Sequence, residues 1–235
     1  MTARLLRNAP LPTRWLVGLS PAQTYPKNIE LFSQGETLDE VLRVDIGWIK
    51  LTAIDRIGRE RILELAFGGM CLGTAAVISR TPSLVSVVTC TEAGVTRIPA
   101  AEFHALLERD PDVSRQVHEM HARAVCHHLQ KLIDLTSLTS RERLERVMCH
   151  FIAALELQPT DHGTRLNIPL HHRELAELIL VTPEHLSRLL TQMQREGLIQ
   201  RDEGWLLIPD VGRLCADCDP SDDSRAPWYL AETPE

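Results

Sequence analysis

Glu184, Ser187 and Arg188 stand at i, i+3 and i+4, a spacing that sets a carboxylate, a hydroxyl and a guanidinium on one face of a helix. Those three groups can read base edges in a DNA major groove. Arg donates two bonds to guanine O6 and N7, Glu accepts from cytosine N4, and Ser is short enough to allow close approach. The same residues would also satisfy an ordinary i, i+4 surface pair, so the surrounding elements decide between the two readings.

Those elements favour base reading. Leu175, Leu178 and Ile179 recur at helical spacing, as do Leu186, Leu189, Leu190 and Met193, which gives two amphipathic helices sharing a small core. Thr182 caps the second helix, Pro183 takes its first position where a missing N–H costs nothing, and Glu184 lies near its positive end. His171, His172 and Arg173 open the first helix and are expected near phosphates, with Thr182 and His185 completing the DNA-contacting set. Gly197 stops the second helix, and two short apolar runs around Asp202-Glu203-Gly204 read as a two-stranded wing.

At these residues the chain resembles the Crp/Fnr family of bacterial transcription regulators. Glu184, Ser187 and Arg188 match the Glu-x-x-Ser-Arg recognition pattern of its Fnr-like branch, and Leu31-Phe32-Ser33-Gln34-Gly35-Glu36 and Ile46-Gly47-Trp48-Ile49-Lys50 extend the resemblance over residues 25 to 210. It implies an α+β chain: an N-terminal double-stranded β-roll of the cyclic-nucleotide-binding kind, a long dimerisation helix and a C-terminal winged helix-turn-helix. It also implies a homodimer on double-stranded DNA with a TTGAT-like palindrome, RNA polymerase as partner, and activation as the family habit.

The rest of the chain fits that frame. With 235 residues, 44% of them apolar and 24% charged, it has the composition of a globular protein with a sizeable core; it has no membrane-spanning run or signal pattern, and is expected in the cytoplasm. Five of the seven net negative charges fall from Asp210 onward. An acidic tail over 211–235, with Trp228-Tyr229-Leu230 as its one docking element, is expected to be poorly ordered. Runs such as Val41–Val44, Trp48–Ile54, Ile62–Leu65 and Leu84–Val88, with turns every ten to twelve residues, predict an antiparallel jelly roll over residues 1–110. A helix and hinge follow over 111–138, with Val117, His121, Val125, His128, Leu132 and Leu135 as a seam toward a second subunit. Thr139-Ser140-Arg141-Glu142 is a capping box that opens the DNA-binding domain, 139–210.

The sensor signal is undetermined. Relatives that bind cyclic AMP use Gly-Glu, Arg-Ser and Thr-Ser pairs; here Gly73-Thr74, Ser83-Leu84 and His128-Leu129 stand in those places, so cyclic AMP is not expected to bind. No cysteine precedes Cys71, which argues against an N-terminal iron–sulfur cluster. Cys71, Cys90, Cys126 and Cys149 read mainly as buried apolar thiols, whereas Cys215-x-x-Cys218 has the spacing of a redox couple or half a zinc site. His121, His128 and Cys71 are the candidate effector contacts; no cofactor is required, while haem sensing and thiol sensing stay open as alternatives. No closely spaced His-x-His with a carboxylate occurs in the β region, so neither a metal site nor a cupin-like enzyme is expected.

Overall fold

The protein is described by a computed structural model over residues 21–216, apart from 156, 161, 203 and 204. Cys218, Trp228-Tyr229-Leu230 and the Glu203-Gly204 turn of the wing therefore lie outside the described residues. Contacts divide the chain into two compact units, which meet in sequence between Arg123 and Ala124.

The first unit is built from β1 (Gln23–Tyr25), β2 (Glu30–Phe32), β3 (Glu40–Ile46), β4 (Trp48–Ile54), β5 (Glu60–Phe67), β6 (Cys71–Leu72), α1 (Thr74–Ser79), β7 (Ser86–Thr89), β8 (Ala93–Pro99), α2 (Ala100–Arg109) and the first half of α3 (Pro111–Ser137). Two four-stranded antiparallel sheets, ordered β1-β8-β3-β6 and β2-β7-β4-β5, make the expected β-roll. Alternation of apolar and polar residues sends Val41, Ile49, Val87, Val95 and Ile98 fully inside. Gly47 makes the tight β3–β4 connection: it holds φ +85°, and a Cβ there would meet the Glu92 carbonyl oxygen at 2.3 Å. The run Leu84–Val88 is strand only from Ser86, and Leu84 is 84% exposed.

Helix α3 has the expected extent, but its N-terminal half does not face outward. Val113, Val117 and Met120 are buried in the β-roll unit, and His121 is bonded to Thr74 of α1 at 3.0 Å. Val117 and His121 therefore leave the expected seam. The apolar row that α3 does expose is Val125, Leu129, Leu132 and Ile133.

The second unit holds the rest of α3, then α4 (Ser140–Ala154), β9 (Thr164–Leu166), α5 (His172–Leu178), α6 (Pro183–Arg195), β10 (Gln200–Asp202), β11 (Trp205–Ile208) and α7 (Val211–Leu214). Thr139 and Glu142 form the expected capping box. The wing is a three-stranded sheet, β10-β11-β9, and not the two strands expected, because Thr164–Leu166 pairs along Leu206–Ile208. Leu144, Met148, Leu166, Ile179, Leu186, Met193 and Ile208 are all under 2% exposed and form one core beneath α5, α6 and the wing. Truncating a residue such as Leu186 to Ala there costs about 2–5 kcal/mol.

Candidate nucleic-acid interface

Helix α6 is fixed at its start. The Thr182 hydroxyl accepts the His185 N–H at 3.3 Å, and Pro183 occupies the first helical position. The turn before it closes with Leu180 donating to the Glu177 carbonyl and Val181 to that of Ala176, which places Leu180 in the left-handed region at φ 56°. Arg143 of α4 clamps the same turn from below: Nε donates to the Ile179 carbonyl at 3.0 Å and Nη1 to the Leu138 carbonyl at 2.8 Å. Leu186, Leu189, Leu190 and Met193 then bury one face of α6, which leaves its opposite face in solvent.

That outer face carries Glu184, Ser187 and Arg188, all exposed. The Glu184 carboxylate accepts from its own backbone N–H and the Thr182 hydroxyl, and these bonds, with Arg188 and His172 nearby, hold its pKa below the usual range. It is ionised and turned to the helix start. The Ser187 hydroxyl meets His172 Nε2 at 3.2 Å, and Arg188 Nη2 lies 3.4 Å from His185 Nδ1. His185 is half-buried and reaches Ser140 of α4 through Nε2.

The flanking group comes together at the start of α5. The His171 backbone N–H donates to the Glu174 carboxylate at 2.8 Å, and Arg173 pairs with Glu177 at 3.2 Å while staying 82% exposed. His172 and Arg173 are thus open to solvent beside α6. The face also extends beyond the expected residues: Ser187, Arg188, Thr191, Gln192 and Arg195 line one shallow open groove. The signal was the continuing helical spacing from Arg188 to Thr191, Gln192 and Arg195.

In the β-roll unit, the residues at the expected effector positions are otherwise engaged. Thr74 is buried against His121, whose pKa is lowered by desolvation and by His118. The Ser83 hydroxyl donates to the Val85 carbonyl at 2.7 Å. Burial pushes the Cys71 thiol up to about 12, beside Arg43, which lowers it, and Asp45, which raises it; such a thiol stays protonated and unreactive. His128 is exposed on α3. Among the described residues, no cluster of three or more His, Cys, Asp or Glu is placed to hold a metal ion, and no helix is long and apolar enough to cross a membrane.

The cysteines divide differently from the expected pattern. Cys71 and Cys90 are buried thiols, Cys126 is exposed, and Cys149 of α4 is joined to Cys215 at the end of α7.

Comparison with known proteins agrees with this geometry. Residues 22–110 match the cyclic nucleotide-binding domain and residues 142–216 match the Crp-like helix-turn-helix domain. The transcriptional activator protein Anr of Pseudomonas aeruginosa is 24% identical over 79% of this chain and 75% of its own length, and a probable transcriptional activator of Rhizobium leguminosarum bv. viciae is 23% identical over 79% and 76%. In fold, the chain superposes on FixK2 of Bradyrhizobium japonicum with a TM-score of 0.72, covering 83% of this chain and 95% of that one at 18% identity. A β-roll, a long helix and a capped helix-turn-helix backed by a wing define a DNA-binding transcription regulator, a class of regulators and not of enzymes. The chain belongs to the Crp/Fnr family.

Proposed function

We propose that this regulator works as a homodimer that binds a TTGAT-like palindrome with half-sites one helical turn apart, and that it activates transcription through RNA polymerase in the cytoplasm. The observation that carries the reading is the exposed row Glu184, Ser187 and Arg188 on a helix capped at Thr182. Arg188 reads a guanine, Glu184 the facing strand and Ser187 a thymine region, while His171, His172 and Arg173 sit near phosphates and Thr182 and His185 hold the helix start. Activation is supported by the two activators to which the chain is similar. Pairing is supported by Val125, Leu129, Leu132 and Ile133, all more than half exposed on one helix.

Cyclic AMP is not the effector in this reading. Thr74 and Ser83 stand where a carboxylate and a guanidinium would meet the ligand, and both hydroxyls already have partners. No iron–sulfur cluster is needed, and the candidate effector contacts are His121, His128 and Cys71.

The test is a fluorescence anisotropy titration of ligand-free protein on a TTGAT-N4-ATCAA duplex and on a scrambled duplex at fixed salt. The cognate duplex should bind about 10³-fold tighter or more. Arg188→Ala should lose roughly 1–3 kcal/mol on the cognate duplex and relax one base position. Equal affinity for the two duplexes, or equal losses on both in Arg188→Ala, would sink the assignment.

A further inference from the structure

We propose that Cys149 and Cys215 form a reversible dithiol–disulfide site, closed by a low-molecular-weight disulfide, that sets the stability of the DNA-binding unit without altering which bases it reads. The two residues lie 66 apart in sequence with Cα atoms 6.0 Å apart, within the reach of a direct bridge. The loop that the bridge closes contains β9, α5, α6, β10 and β11, which are the whole helix-turn-helix and wing. A cross-link of that kind removes freedom from the opened chain, and more so for long loops.

The position of the bridge makes it a device of the scaffold. Cys149 sits on α4 among the core positions Met148 and Ile152, and Cys215 ends α7, the four-residue helix that follows wing strand β11. Among the described residues, α7 is held besides the sulfur by the buried Leu214, by the Asp210 carboxylate accepting the Arg213 N–H at 3.1 Å and by the Asp210 carbonyl accepting the Leu214 N–H at 3.2 Å. Such a short helix has little stability of its own. Without the bridge, α7 and the trailing end of β11 open more readily. Neither sulfur lies on α6, so the reading row is the same in both states.

The site is also accessible. Both cysteines are half-buried, and an open groove is lined by Leu214 and Ala216, the neighbours of Cys215 on either side. A protein that meets its DNA in the cytoplasm, as proposed above, works in a compartment where glutathione keeps structural disulfides rare and transient ones serve as sensors. Closure proceeds by exchange. The Cys215 thiolate attacks one sulfur of glutathione disulfide and expels one glutathione thiolate; Cys149 then attacks the mixed disulfide at Cys215 and expels the second. Two protein thiols are oxidised, one disulfide is reduced to two thiols, and the two cysteine protons pass to the released thiolates. Excess glutathione reverses both steps.

The test equilibrates full-length protein in graded mixtures of reduced and oxidised glutathione, traps free thiols by alkylation, and maps linked peptides while the same samples are digested with a protease under native conditions. The expected result is a Cys149–Cys215 peptide that appears and disappears across mixtures bracketing a reducing cytosol, with cleavage inside 149–215 slowed by about tenfold or more in the oxidised protein. Cys149→Ser should abolish the difference, and Cys126→Ser and Cys218→Ser should leave it. A Cys215–Cys218 linkage, an intermolecular Cys126 linkage as the main product, or a bridge that survives every reducing mixture would overturn the proposal. So would equal cleavage in the two states, or a redox-dependent ratio of cognate to scrambled DNA binding. Absence of specific DNA binding in every sample would instead count against the proposed half-site.

Discussion

His185 Nε2 stands 2.9 Å from the Ser140 hydroxyl, which links α6 to the first turn of α4. The other ring nitrogen faces Arg188 Nη2 at 3.4 Å. A guanidinium can only donate, so this contact is a hydrogen bond in the tautomer that leaves Nδ1 bare and lets Nε2 donate to Ser140. Ser140 holds the imidazole, and the imidazole steadies Arg188, the arginine proposed to meet a base.

His185→Ala should therefore weaken cognate binding by about 0.5–1.5 kcal/mol, the worth of an ordinary hydrogen bond. Ser140→Ala, in a residue off the reading face, should produce a smaller loss in the same direction. Anisotropy titrations of both variants against the wild type check this; a Ser140→Ala protein with unchanged affinity would break the link.

Arg143 is the polar bolt under the turn between α5 and α6, because its guanidinium satisfies two carbonyls from different segments. Replacing it with Leu leaves the Ile179 and Leu138 carbonyls without that donor. A loss of about 1.5–3 kcal/mol in the unfolding free energy of the DNA-binding unit is expected by denaturant titration.

Leu180 holds φ 56°, a conformation that costs a β-carbon-bearing residue about 1–2 kcal/mol. The residue is 52% exposed, so little packing is at stake. Leu180→Gly should be net stabilising, by about 0.5–1 kcal/mol after the extra freedom of the unfolded glycine is subtracted. A fall in melting temperature would show that the leucine side chain matters more than its backbone.

The lowered pKa of His121 carries a sign for stability. Its folded value lies below the ordinary 6.5, so between the two values the unfolded chain binds the extra proton. Stability of the β-roll unit is full above about pH 6.5 and falls as the pH drops through and below that value. His121→Gln, which keeps a partner for Thr74 without a titrating group, should flatten the slope between pH 7.5 and 5.5. Parallel slopes in the two proteins would assign the acid sensitivity elsewhere.

Much of the DNA-binding unit was legible because its signals are local. A cap at Thr182, a proline at 183 and a 3.6-residue apolar repeat fix a helix start and its two faces without reference to the rest of the chain. The capping box at Thr139 and the extent of α3 follow in the same way. The β-roll could be expected from turn spacing, since each short strand is bounded by its own glycine or polar turn.

What the sequence could not supply were pairings between distant residues. Nothing in Thr164–Leu166 marks it as the third strand of the wing, because its partner lies forty residues on and three residues carry too little periodicity. Val117 and His121 obey the seam spacing as well as Val125 and Leu132 do. Only the packing of α3 against the β-roll decides that the first two face inward and the latter stay exposed. Cys149 and Cys215 are likewise ordinary cysteines until the fold sets them 6.0 Å apart. The chain by itself determined α3 to α6, the caps at Thr139 and Thr182 and the spacing that sets Glu184, Ser187 and Arg188 on one face, since these depend on neighbours within two turns; tertiary structure alone decided which faces are spent on the core and which thiols meet, because burial and long-range contact are properties of the folded whole.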